Sequence, residues 1–136
     1  MIQPYADTYE LYLNAWGPIA REERVDLLRR SLAETIVFTN PTQVRRGIDD
    51  IVAHLEGFQQ RTPGGRFRMN NMVGWSIYGL AEWQLVNGDG QPGFSGYDVV
   101  TFDADGLITD ILLFGNVEAQ KLAWRRRDAV ALKLTQ

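Results

Sequence analysis

The spacing of apolar residues changes once along this chain, at the Thr62-Pro63-Gly64-Gly65 segment. Before it, apolar side chains recur every three or four residues, the period of a helix face; after it they fall into short runs rich in β-branched and aromatic residues. Tyr5, Thr8, Tyr9, Tyr12, Leu13 and Trp16 predict one face of a first helix, with Pro4 suited to its opening turn. Gly17-Pro18 breaks that helix, and Ile19, Val25, Leu28 and Leu32 predict the buried side of a second one running to about Leu32. Ile36-Val37-Phe38 is a short β-prone run that Asn40-Pro41 ends, because proline cannot donate to a ladder. Residues 44–46 suit a second short strand. A third helix opens at Gly47, with Ile48, Ile51, Val52, Leu55 and Phe58 on its buried face and Asp49 and Asp50 complementing the dipole of its first turn.

Residues 66–77, 80–86, 94–102 and 107–114 all predict strands. Asn87-Gly88-Asp89-Gly90 and Asp103-Ala104-Asp105-Gly106 between them carry hairpin chemistry. A last helix starts near Val117 and ends in a basic tail. Helices first and an antiparallel meander afterwards make an α+β arrangement rather than an alternating one.

Length and composition fit this picture and narrow the function. The 136 residues suit one domain spanning 1–136, large enough to hold a core without staples. A net charge of −3 argues against nucleic acid, whose binders carry a basic stripe. With no cysteine and one histidine, His54, the chain offers no disulfide, no thiolate nucleophile and no two-histidine metal site, so no metal or cofactor is expected. No Gly-x-Ser-x-Gly elbow is present. The N-terminus lacks the basic-then-apolar pattern of a signal peptide, and no apolar stretch approaches the ~20 residues that span a bilayer, so the expectation is a cytoplasmic protein without membrane contact.

The residues that carry a family likeness are Ile36-Val37-Phe38-Thr39-Asn40-Pro41 after two helices, then Arg46-Gly47-Ile48-Asp49-Asp50-Ile51, and then Gly96-Tyr97-Asp98-Val99-Val100-Thr101-Phe102-Asp103 running through Asp105-Gly106 to Ile108. In these the chain resembles the NTF2-like superfamily, in particular its SnoaL-like and ketosteroid-isomerase-like branches, over roughly residues 5 to 118. The resemblance implies a cone-shaped, cystatin-like fold: N-terminal helices packed on a curved antiparallel sheet around an apolar pocket for a small apolar molecule. It does not fix an activity, since that fold hosts isomerases, cyclases, dehydratases, hydrolases and non-catalytic binders.

Asp98 is the leading candidate for chemistry. On an extended strand it shares one face with Val100 and Phe102, while Tyr97, Val99 and Thr101 share the other. A carboxyl among apolar neighbours has its pKa raised by desolvation, and when protonated can donate a hydrogen bond to an oxyanion. The resemblance implies that oxyanion-binding role, and the SnoaL-like cyclases imply acid/base chemistry at such a residue. Tyr12 stands in the apolar stripe of the first helix, where the isomerases place an oxyanion-binding tyrosine; Tyr9 competes for the position. Asn40 occupies the place before proline where the isomerases carry their aspartate base. An amide cannot accept the proton, so Asn40 either orients a ligand or caps the turn.

Trp83, alternating with Glu82, is expected to face inward as an apolar wall, and Trp16, Trp75, Phe114, Val100 and Phe102 are further lining candidates. His54, on the flank of the third helix, suits a structural role or a base reaching the pocket. Neither the two histidines of scytalone-dehydratase-like chemistry nor the Arg-x-Asp of limonene-epoxide-hydrolase-like chemistry is present, since Gly96 stands two before Asp98. Two functions follow as expectations: a small cofactor-free isomerase- or cyclase-type enzyme acting on an apolar carbonyl compound, or a non-catalytic binding module. The apolar Tyr97/Val99/Thr101 face and the superfamily's habit both imply a homodimer.

Overall fold

The computed structural model describes residues 2–127. The chain runs α1 (Gln3–Asn14), α2 (Arg21–Ser31), β1 (Leu32–Thr39), β2 (Val44–Arg46), α3 (Ile48–Arg61), β3 (Arg66–Trp75), β4 (Tyr78–Val86), β5 (Pro92–Phe102), β6 (Ile108–Phe114) and α4 (Val117–Arg125). The expected basic tail begins at the end of α4, where Arg125 closes the helix and the Arg127 guanidinium lies 4.3 Å from the Trp124 ring centroid; residues 128–136 lie outside the described residues.

Six strands form one curved, unclosed sheet in the order β2-β1-β6-β5-β4-β3. β3 through β6 are the antiparallel meander that their hairpin turns dictate. At the β4–β5 and β5–β6 hairpins an aspartate organises the turn. Asp103 Oδ1 accepts from the amides of Asp105 and Leu107, and Asp89 Oδ1 from that of Gln91. The sheet is mixed rather than wholly antiparallel, because β1 pairs parallel to β6. Placing an early strand beside the last one requires a long crossover, which α3 and the meander supply.

The three N-terminal helices cover the concave side. Leu28, Ile36, Phe38, Ile51, Leu55, Val100, Phe102 and Ile111 are among the buried residues of one continuous core. The α1–α2 corner is held by Arg24, a buried cation whose Nε donates to the Ala15 carbonyl at 2.9 Å and Nη2 to the Gly17 carbonyl at 2.8 Å. The Ala15 carbonyl is one that a helix end leaves without a partner, the Gly17 carbonyl just beyond it also accepts from the Ile19 amide, and a guanidinium has enough donors to reach both. α2 ends at Ser31, one residue short of the expected Leu32, which instead opens β1 as a buried strand residue. Gly47 leads into α3 at φ 85°, a left-handed conformation that favours glycine. Asp50 ties β2 to that helix by accepting from the Arg46 amide and the Arg45 guanidinium.

Candidate functional site

Asp98 sits mid-strand in β5 with its side chain on the concave, helix-facing side, and it is 2% exposed. Its two oxygens are held separately. Tyr9, from α1, donates its hydroxyl to Oδ2 at 2.7 Å, and Trp83, from the neighbouring strand, points its indole N–H at Oδ1 at 3.3 Å. Among the described residues no arginine or lysine neutralises the carboxyl: its partners are a phenol and an indole. Burial therefore dominates and pushes its pKa from 3.8 up to about 7, against the pull of the Tyr9 and Trp83 hydrogen bonds. A carboxyl in that range is close to half-ionised at neutral pH, which suits a group that must both take and return a proton.

One turn along α1, Tyr12 is fully buried, and its hydroxyl has no hydrogen-bond partner of sound geometry among the described residues, although the Trp16 indole lies close enough to act on it. An orphaned buried hydroxyl costs roughly 1–3 kcal/mol, which a water or a ligand oxygen bonded to it would offset. Tyr12, Leu13, Trp16, Phe67, Trp83, Asp98 and Leu113 line a small apolar cavity of about 20 Å³. That is space for one water molecule, which needs roughly 10–15 Å³. A larger ligand must therefore part the surrounding side chains. Both tyrosines stay neutral donors, their pKa values raised first by burial and then by the charge of Asp98; the Trp16 indole pulls that of Tyr12 the other way. The rings around the cavity interlock at the edges: Phe67 meets Trp16 and Trp83 edge-on, with centroids 5.2 Å away in each case.

The matching family model, described as a SnoaL-like domain, covers residues 9–111. The chain belongs to the SnoaL-like family. Among solved structures, a protein from Agrobacterium tumefaciens, provisionally assigned as an isomerase of the SnoaL-like family, superposes with a TM-score of 0.76 at 27% identity, covering 82% of this chain and 97% of that one. A provisionally assigned SnoaL-like polyketide cyclase from Jannaschia sp. gives a TM-score of 0.64 at 19% identity, over 88% of this chain and 90% of that one. An NTF2-like protein of unknown function from Exiguobacterium sp. gives 0.66 at 17% identity, over 79% and 97%. The last two likenesses concern the fold alone. No curated protein matches.

Within this SnoaL-like domain the expected site residues divide. Asp98, Tyr12, Trp16 and Trp83 meet around the cavity. Val100 and Phe102 point to the same side of β5 as Asp98 and are buried, but they do not line the cavity. Each step of two along a strand moves about 7 Å, and Phe102 has travelled far enough to stack on Tyr5 near the start of α1, with centroids 3.9 Å apart.

Phe114 is a correction. It lies on the outer face, 43% exposed, and Leu113 lines the cavity in its place. Trp75 is another: it is 84% exposed. A bulge in β3 between Met69 and Asn71 explains it. Phe67 and Met69 face inward before the bulge and Met72 after it, so the extra residue moves Trp75 to the outside.

Asn40 turns away from ligand binding. Its Oδ1 accepts from the amides of Thr42 and Gln43, at 3.0 and 2.8 Å, closing the turn between β1 and β2. His54 packs against Trp16 and Phe38, with centroids 5.4 and 5.2 Å away, and Trp16 stands between it and the cavity. Desolvation, then the charges of Arg45 and Arg61, lowers its pKa to about 4, so it is neutral at ordinary pH.

Three residues escaped the sequence reading: Phe67, Leu13 and Leu113 as cavity lining. The apolar stripe of α1 could have pointed to Leu13, and the alternation along β3 and β6 to Phe67 and Leu113, although consecutive apolar residues blur it in β6. No group of three or more potential metal ligands occurs among the described residues.

Proposed function

We propose that this SnoaL-like protein is a cofactor-free enzyme that moves a proton on an apolar carbonyl compound. Asp98 acts as acid/base, and the Tyr12 hydroxyl receives the carbonyl oxygen. The observation that carries this is the juxtaposition, in one cavity, of a buried carboxyl with a pKa near 7 and a buried hydroxyl with no partner. The Asp98 carboxylate takes a proton from the carbon next to the carbonyl. Negative charge then gathers on the oxygen, where the Tyr12 O–H stabilises it. Asp98, now protonated, returns its proton at another carbon, which completes an isomerisation; in a ring closure the enolate carbon instead bonds to a second carbonyl carbon of the same molecule, and Asp98 gives its proton to the alkoxide formed there. Tyr9 and Trp83 keep the carboxyl oriented through both transfers. The provisional isomerase and cyclase assignments of the relatives agree with this reading.

The test is a fluorescence titration with naphthols, whose phenolates mimic an enolate, followed by turnover assays on enolisable ketones. Saturable binding that weakens at least tenfold in Asp98→Asn is expected, with loss of turnover. Equal binding by wild type and variant would overturn the assignment of Asp98.

A second reading, a non-catalytic binding module, is favoured by one observation: Asn40, in the place of the isomerase base, is committed to its turn. Saturable binding with the ligand recovered unchanged would select it. For either reading we propose a homodimer through the outer sheet face. Val73, Leu80, Val99 and Leu112 stand in cross-strand register there as an apolar stripe, with Val73, Leu80 and Leu112 more than 40% exposed. Sedimentation at micromolar concentration tests it, and a monomer would rule it out.

A further inference from the structure

A second, larger hollow adjoins the cavity. It is a groove of about 490 Å³ between α1 and the β3 edge of the sheet, with Glu10 and Asn14 of α1, Arg66 and Arg68 of β3 and Gln84 of β4 in its wall. Leu13 and Phe67 line both spaces, so one layer of side chains separates the groove from the Tyr12 and Asp98 hydroxyl and carboxyl. The inner space is apolar; the groove is mixed, with Met69, Val86 and Pro92 beside its polar residues, and holds two arginines against one carboxylate. Arg66 and Arg68 stand two apart on β3 and so share a face, the one opposite Phe67, and they border the groove from the open edge of the sheet. Neither forms an ion pair among the described residues. Arg68 donates only through Nε, to Asn70 at 3.3 Å, leaving its terminal nitrogens without a partner among the described residues. A pair of unpaired guanidinium groups at the entrance of an apolar chamber, in a chain whose net charge is −3, is a local reversal of the overall field.

We infer that the ligand of this site is amphipathic: an apolar carbonyl or phenol end that enters past Phe67 and Leu13, and an anionic group, carboxylate or sulfonate in chemistry, that stays in the groove on Arg66 and Arg68. This inference rests on the binding reading above for the inner end, and adds the outer end to it. Guanidinium suits such groups because its donors match two oxygens at once.

The experiment compares 2-naphthol with 6-hydroxynaphthalene-2-sulfonate by fluorescence titration of the full chain, for wild type, for the double variant Arg66→Gln/Arg68→Gln, and for Asp98→Asn. Both arginines are exposed, so the double variant is expected to fold, which circular dichroism checks. Solvent-exposed charge pairs are each worth about 0.2–1 kcal/mol, so the sulfonate is expected to bind wild type roughly three- to tenfold more tightly than the naphthol at low salt. That advantage disappears in the arginine double variant and shrinks at high salt, while naphthol affinity is unchanged. Equal affinity of the two probes for wild type, or an advantage that survives in the arginine variant, overturns the anionic subsite and leaves the Asp98 reading standing. Naphthol binding that ignores Asp98→Asn overturns the inner reading separately. If neither probe binds wild type, both fall together.

Discussion

The Tyr9 hydroxyl reaches from α1 to Asp98 Oδ2 on β5 at 2.7 Å, so the helix that closes the concave side also holds the buried carboxyl. Three residues further along α1, Tyr12 presents the same chemical group with no hydrogen-bond partner of sound geometry among the described residues. The two phenols are thus expected to respond differently to the same substitution. Tyr9→Phe strands a carboxyl oxygen and should cost about 1–3 kcal/mol, more at pH 8 than at pH 5, because the acceptor is charged there. Tyr12→Phe removes an unsatisfied hydroxyl and should leave stability unchanged or raise it, while weakening naphthol binding. Thermal unfolding and titration of both variants check the contrast. Equal destabilisation by the two would contradict it.

The titrations of the buried Asp98 and the half-buried His54 oppose each other with pH. Asp98 has a folded pKa of about 7 against 3.8, so its ionisation costs the folded state. Its protonated form is tolerated fully at low pH, and the penalty builds as pH rises from about 4 to 7. His54 has a folded pKa of about 4 against 6.5, so its penalty builds as pH falls through the same interval. Asp98→Asn should therefore gain stability over wild type as pH rises from 4 to 8, by at most on the order of 4 kcal/mol. His54→Gln should gain relative to wild type as pH falls from 7 to 4. Melting temperatures of the three proteins across that range provide the measurement, and a pH-independent difference in either variant would refute the corresponding shift.

Gly96 pairs with Trp83 across β4 and β5, and a Cβ there would strike the Trp83 ring and the Phe114 carbonyl. The position two before Asp98 is therefore empty because the indole fills it. Gly96→Ala should cost about 1–3 kcal/mol by overpacking, displace Trp83 from Asp98, and change both the tryptophan emission and naphthol affinity. Unaltered emission and affinity in a folded variant would show that the indole has room to move.

Arg24 closes the end of α1 from inside the core. Arg24→Met keeps the stem and loses both carbonyl bonds, for an expected loss of about 2–4 kcal/mol in unfolding free energy. Arg24→Lys, with one compact donor group in place of the fork, should recover part of it. Denaturant unfolding of the two variants measures this. Identical losses would mean that the fork geometry is irrelevant.

Much of the fold was legible along the chain because each element announces itself locally. The α1 stripe, the Gly17-Pro18 break, the Asp-Gly hairpins and the β-rich second half all correspond to elements at or near the expected places. Legibility failed where a local period has two solutions. In β6, Ile111-Leu112-Leu113-Phe114 is apolar on both faces, so alternation alone did not say that Leu113 and not Phe114 turns inward. In β3 the bulge before Asn71 shifts the alternation, which no residue spacing records, and Trp75 emerges on the outer face.

The sequence by itself determined the element order, the helices-then-meander class, and that Asp98 and Val100 share a strand face, because these depend on periods of 3.6 and 2 and on turn chemistry within a few residues. Only the tertiary structure decided that Tyr9 and not Tyr12 bonds Asp98, that β1 runs parallel beside β6, and that Asn40 closes a turn instead of facing a ligand. Those outcomes depend on distances between residues far apart in the chain. The pKa of Asp98 is among them: a carboxyl is moved from its ordinary value by whatever surrounds it in space, and here Tyr9 stands 89 residues before it along the chain.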